Sequence, residues 1–183
     1  MKKIEFINRY TFDFEATTSE PVCAYMVSIV NIEDPSNATI FTIDDGDPVE
    51  LLLKFIKKSK KNSKFYAHNL SYDYAIIRAW CHFNPENEYI PSFKDFILPN
   101  RKILKSTLNF KYKPIHLIDS YPLFLAPLNK VMGAFTPLKK GETPLYEKLD
   151  DVVVTQEDKD YRLNDSIGLA IAFKKDWNSV IIN

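Results

Sequence analysis

The hydrophobic and polar positions alternate at the start of the chain and turn helical further on. Residues 4–14 read as a strand, followed by a second over 22–30 and a third over 39–43. Thr17-Thr18-Ser19-Glu20-Pro21 and Asp34-Pro35-Ser36-Asn37 carry the turn chemistry between them. Short turns between consecutive strands predict an antiparallel meander. Asp47-Pro48 then opens a helix, with Asp as its cap and Pro in its first turn. Leu51, Leu52, Phe55 and Ile56 form its apolar stripe.

Lys64–Ala67 is a short apolar strand running into His68-Asn69-Leu70-Ser71-Tyr72-Asp73. The helix after it carries Ile76, Ile77, Trp80 and Phe83 on its apolar stripe, with Ser71 or Asn69 as the cap. Residues 84–113 are less regular, punctuated by Pro85, Pro91 and Pro99. Lys102–Phe110 reads as a strand and pairs with Pro114–Ser120 as a hairpin. Leu123–Phe135 is a short helix interrupted by Pro127, and Lys139–Pro144 is a loop. The last helix starts at a Thr155–Asp158 capping box and runs to about Trp177.

Length and composition narrow the class. A chain of 183 residues predicts one domain, with no composition shift that would divide it. Lys+Arg and Asp+Glu balance at 24 each, so no global positive field marks a nucleic-acid partner, although one groove can still be basic. The Lys54–Lys61 cluster is either a solvated helix face or a phosphate-tracking patch. Cys23 and Cys81 lack metal-ligand spacing and read as buried thiols of a cytoplasmic protein. No apolar run reaches the roughly 20 residues of a membrane span.

Acidic residues change the picture. Asp13 and Glu15 share one face of the first strand, about 7 Å apart along it, so they repel unless a cation lies between them. Read alone, that pair is either a solvated edge or half of a cation site. Asp73 falls in a helix's first turn, and Asp165 lies inside an apolar helical run, where an unpaired carboxylate is costly. Carboxylate oxygens are what hard divalent cations prefer. Tyr161 stands four residues before Asp165, on the same helix face.

Asp-Phe-Glu at 13–15, Asn-Leu-Ser-Tyr-Asp at 69–73 and Tyr-Arg-Leu-Asn-Asp at 161–165 resemble the three ordered motifs of the 3′→5′ exonuclease domain of family B DNA polymerases. Phe65-Tyr66-Ala67-His68-Asn69-Leu70-Ser71-Tyr72-Asp73 and Ile118-Asp119-Ser120 are similar to the protein-primed branch found in bacteriophages and linear plasmids.

That resemblance implies an α/β, ribonuclease H-like fold: a mixed central sheet with flanking helices and a β-hairpin insertion. It also implies a single exonuclease domain over 1–183 that hydrolyses single-stranded DNA from its 3′ end with two Mg²⁺ or Mn²⁺ ions. Asp13, Glu15, Asp73 and Asp165 would hold the ions, and Tyr161 would orient the water. Asn69, Tyr72, Ser120 and His68 would contact the strand, and Lys140 (or Lys139) would match the family's lysine. Ala16 stands where the family has Thr, with Thr17 as the substitute, and Tyr121 stands in place of an apolar residue. The polymerase carboxylates have no match, so the chain is expected to be a stand-alone relative or an excised domain, working beside a polymerase or another replication partner in a host cytoplasm. A strand-binding or protein-binding module and an RNA-trimming exonuclease are the alternatives.

Overall fold

The computed structural model describes residues 7–139 and 145–181, with side chains through Lys175. A seven-stranded mixed sheet is built from β1 (Arg9–Ala16), β2 (Ala24–Asn31), β3 (Ala38–Thr42), β4 (Lys64–Ala67), β5 (Ser92–Ile97), β6 (Ile103–Phe110) and β7 (Lys113–Asp119). Its order is β3-β2-β1-β4-β7-β6-β5. The expected meander forms the β1–β3 half with antiparallel pairing, and the expected hairpin is β6–β7. Parallel β4 joins the halves, so the C-terminal ends of β1, β4 and β7 meet along one edge. Such an edge is where α/β sheets place their ligands.

Among the described residues, five α-helices flank the sheet: α1 (Pro48–Lys58), α2 (Ser71–Phe83), α3 (Tyr121–Phe124), α4 (Leu128–Phe135) and α5 (Gln156–Ile181). On one face, Phe12, Phe14, Phe65, Leu108, Ile115 and Leu117 pack with Leu52, Leu53 and Ile56 of α1 and Ile76 and Ile77 of α2. Each fully buried side chain of this kind contributes about 1.5–3 kcal/mol of transfer free energy. The opposite face buries Val30 and Tyr66 against Leu169, Ala170 and Phe173 of α5.

Local chemistry sets the helix ends. Asp47 Oδ1 accepts from the backbone N–H groups of Val49 and Glu50, at 2.9 and 3.2 Å. The Thr155–Asp158 box closes reciprocally: Thr155 N donates to Asp158 Oδ2 at 2.9 Å and Asp158 N to Thr155 Oγ1 at 3.1 Å.

Several expectations need correction. The stripe of α1 runs through Leu53 rather than Leu51, because Val49, Leu52, Leu53 and Ile56 are its buried positions. No side chain caps α2: Asn69 is left-handed at φ +69°, and Ser71 Oγ accepts from Ile103 N. Phe83 is 76% exposed, since α2 leaves the core before its last turn. β5 lies within the supposedly irregular stretch, and Pro127 separates two helices rather than interrupting one. Cys81 is buried, but Cys23 is partly exposed.

Candidate active site

Three carboxylates open onto one cavity of about 540 Å³ at the C-terminal edge of the sheet, lined by Asp13, Glu15 and Asp165 together with His68, Asn69 and Tyr72. Its other walls include Lys102, Tyr121, Leu128 and Arg162. β1 supplies the first two carboxylates by its alternation, and its register shifts just after Glu15. α5 brings Asp165 over β1, and two polar contacts fix its register there. Thr11 Oγ1 donates to Ser166 O at 2.8 Å, and the Ser28 and Ser166 hydroxyls are 2.6 Å apart. These groups are buried, so their pairing specifies how α5 lies on the sheet.

Asp73 sits behind this surface, 2% exposed. Its Oδ1 accepts from Phe14 N at 3.0 Å, which ties the start of α2 to β1. Burial is the main reason its carboxyl lies well above the usual range; the negative charge of Asp13 and then of Glu15 pushes the same way, against the backbone hydrogen bonds. A buried carboxylate beside two others is a local excess of negative charge. Arg162 offsets part of it: its Nη1 lies 2.7 Å from Glu15 Oε1 and 3.6 Å from Asp165 Oδ2.

The loops after β4 and β7 close the far wall. Asp119 Oδ1 accepts from both Asn69 N and Tyr121 N, each at 3.0 Å. Asn at the left-handed position is among the few residue types that adopt it readily. His68 bridges the same loops, with Nδ1 3.0 Å from Ser120 Oγ and Nε2 3.0 Å from Ala126 O.

The sequence-derived candidates therefore separate. Asp13, Glu15, Asp165, Asn69, His68 and Tyr72 reach the cavity, and Tyr72 is 49% exposed there. Ser120 is fully buried and supports His68. Thr17 is turned away: its hydroxyl accepts from Cys23 N at 2.9 Å. Tyr161 is 40% exposed, one turn before Asp165, but is not part of the cavity lining. Lys140 lies outside the described residues. Sequence reasoning missed Arg162 and Asp119 as site-shaping groups, although both stand inside motifs it had singled out.

The all-oxygen donor set fits a hard divalent cation by chemistry. In this conformation, however, no group of three or more His, Cys, Asp or Glu among the described residues is gathered closely enough to hold one. Arg162 reaches two of these carboxylates, Glu15 and Asp165. No helix among the described residues is long and apolar enough to cross a membrane.

The family model described as "DNA polymerase type B, organellar and viral" matches residues 56–166. No curated protein matches the chain. Among solved structures, Phi29 DNA polymerase complexed with single-stranded DNA superposes with a TM-score of 0.80 at 21% identity, covering 95% of this chain and 32% of that one. The same polymerase with primer-template DNA and incoming nucleotide gives 0.79 at 20% identity, over 97% and 32%. The family B polymerase of the archaeon Pyrobaculum calidifontis gives 0.60 at 14% identity, over 92% and 24%. The chain thus spans about a third of the Phi29 enzyme, and the likeness is one of fold.

Proposed function

The chain belongs to the organellar and viral type B DNA polymerase family, and from that premise we propose that it is a metal-dependent 3′→5′ exonuclease acting on single-stranded DNA. The observation that carries this reading is the convergence of Asp13, Glu15 and Asp165 on one cavity, with Asp73 buried behind them. Asp13, Glu15, Asp73 and Asp165 would hold two Mg²⁺ or Mn²⁺ ions. Bound there, such a pair supplies Lewis acidity and a water of lowered pKa.

The protein's own groups do the rest. Tyr72 offers an exposed ring to the terminal base, a stacking contact worth roughly 1–3 kcal/mol and indifferent to sequence. Asn69, held by Asp119, and His68, held by Ser120 and Ala126, position the end of the strand. Tyr161, one turn before Asp165 on α5 but outside the cavity lining, would orient the attacking water. Water adds to the terminal phosphorus, the bond to the 3′ oxygen breaks, and a nucleoside 5′-monophosphate leaves. The domain would act as a single exonuclease unit beside a polymerase or another replication partner.

The test is digestion of a 5′-labelled single strand with Mg²⁺ or Mn²⁺. Stepwise shortening from the 3′ end is expected, and the Asp13→Ala/Glu15→Ala variant should abolish it. Undiminished digestion by that variant sinks the assignment. The Arg162 contacts favour one second reading, a module that holds the strand without cutting it. Strand binding that survives chelation, with no product at high protein concentration, would establish that reading instead.

A further inference from the structure

The sheet face that carries Asp13 and Glu15 continues past α5, whose described residues pack on β1, β2, β3 and Tyr66 of β4, onto β7, β6 and β5. Cross-strand pairing sets Arg9 of β1 beside Lys64 of β4, Lys64 beside His116 of β7, His116 beside Thr107 of β6, and Thr107 beside Lys94 of β5. Residues paired directly across strands project from the same face, so one row of mainly basic side chains crosses five strands. Lys105 stands in the neighbouring row, opposite Phe96. The helix that packs on β6 is α2, which lies on the other face with Leu108 and Ile115.

This arrangement is electrostatically unfavourable in isolation. Like charges directly opposite one another destabilise a sheet, and Arg9 faces Lys64. Arg9 has the Glu33 carboxylate, with Nε to Oε1 at 2.8 Å. Burial, followed by the charges of Lys105 and Lys64, draws the His116 imidazole below its usual range. Asp95 also lines the concavity of about 510 Å³ formed by Lys94, Phe96, Lys105, Thr107 and Asn109. Its carboxylate, however, is committed to the α2 face: Oδ1 accepts from the Tyr74 and Ser106 hydroxyls, both at 2.6 Å, and Oδ2 lies 3.8 Å from Arg78. Phe96 is meanwhile 58% exposed on a strand edge.

Cations in a row beside a bare ring match a chain of phosphates that carries flat bases. We propose that the β5–β6–β7 face is a second contact for single-stranded nucleic acid. Lys94, Lys105 and Lys64 take its phosphates, and Phe96 stacks a base. The row spans about 14 Å from β5 to β4, at roughly 4.8 Å per strand spacing. Arg9 stands four residues before Asp13, about 13 Å along β1. The face therefore holds the strand away from the terminus, which is the part of the idea that rests on the exonuclease reading.

The test measures fluorescence anisotropy in chelator for a labelled trinucleotide and for a strand several times longer, with the full chain and two surface variants. Wild type should bind the longer strand more tightly. Lys94→Ala/Lys105→Ala should lose roughly tenfold of that affinity, and its salt slope should fall by about 1.4, at about 0.7 per phosphate contact. Phe96→Ala should lose roughly 5–150-fold, the equivalent of one stacked base. Trinucleotide binding should not move in either variant. Equal long-strand affinity and salt slope in all three proteins overturns the proposal. So does a wild type that gains nothing from added length. If wild type cuts no DNA with Mn²⁺ but the long-strand losses stand, the exonuclease reading fails and the binding face survives.

Discussion

Arg162 Nη1 lies 2.7 Å from Glu15 Oε1, and this places a cation from α5 among the carboxylates of β1. The two side chains are 13% and 16% exposed, so solvent and salt screen the pair only weakly. The same nitrogen is 3.6 Å from Asp165 Oδ2, so one guanidinium serves two of the four carboxylates.

A divalent ion would have to compete with that tethered charge. Charged hydrogen bonds contribute about 1.5–3 kcal/mol each. Arg162→Met should therefore bind Mg²⁺ or Mn²⁺ roughly tenfold to a hundredfold more tightly by titration calorimetry. It should also melt at a lower temperature in chelator, because Glu15 and Asp165 lose their counter-charge, and recover when the ion is added. Weaker ion binding by the variant would show that Arg162 helps to build the metal site rather than competing for it.

Asp73 gives the site a pH signature. Its folded pKa is raised, mainly by burial and then by Asp13 and Glu15, above the value of about 3.9 for an unfolded Asp. Between those two values the folded state binds the extra proton, so stability falls as pH rises. Its contribution is intact below the unfolded pKa and lost as pH climbs through the raised folded value. Asp73→Asn keeps Oδ1 as an acceptor for Phe14 N and removes the charge. In chelator at neutral pH its melting temperature should rise, by roughly 2–4 °C for each kcal/mol recovered, and its pH slope should flatten. A lower melting temperature at neutral pH would contradict this account.

Elements with their own local signals were legible in the sequence. Asp47-Pro48 opens α1 and the Thr155–Asp158 box opens α5, as their chemistry dictates. β5 was hidden because most of its residues are exposed at a sheet edge, leaving no alternation to read. Phe83 misled because a helical stripe says nothing about where the helix leaves its core. The site carboxylates were legible since each occupies a short motif. Asp119 and Arg162 were not, because their roles depend on which chain segment arrives opposite them. Thr17 shows the same limit: its hydroxyl is taken by Cys23 N, a partner set by the fold of the β1–β2 turn.

Gly168 controls how closely α4 approaches α5, and hence where Pro127 and Leu128 stand at the cavity wall. A Cβ there would meet Met132 Cε at 2.7 Å and Cγ at 2.8 Å. Ala favours a helix interior over Gly by about 1 kcal/mol, whereas overpacking costs about 1–3 kcal/mol. Met132 is fully buried, so its side chain has little room to yield. Gly168→Ala should be destabilising by denaturant titration, and Gly168→Ala/Met132→Ala should relieve the clash while opening a void. Stabilisation by the single substitution would mean that α4 is free to shift.

Asp119 separates shape from charge in the loops beside the cavity. It is 5% exposed, and one oxygen holds two backbone N–H groups, from Asn69 and Tyr121. Truncation to Ala removes the acceptor from both donors, at about 0.5–1.5 kcal/mol for each part-buried hydrogen bond. Asn keeps an acceptor oxygen in the same place, so Asp119→Asn should retain most of the stability that Asp119→Ala loses. Because Asn69 and Tyr121 line the cavity while the carboxylates sit on β1 and α5, the Ala variant should weaken strand binding more than it slows cleavage at saturating DNA. KM and kcat measured for both variants decide the matter. A loss confined to kcat, unrepaired in Asp119→Asn, would place the Asp119 charge in the chemistry instead of in the scaffold.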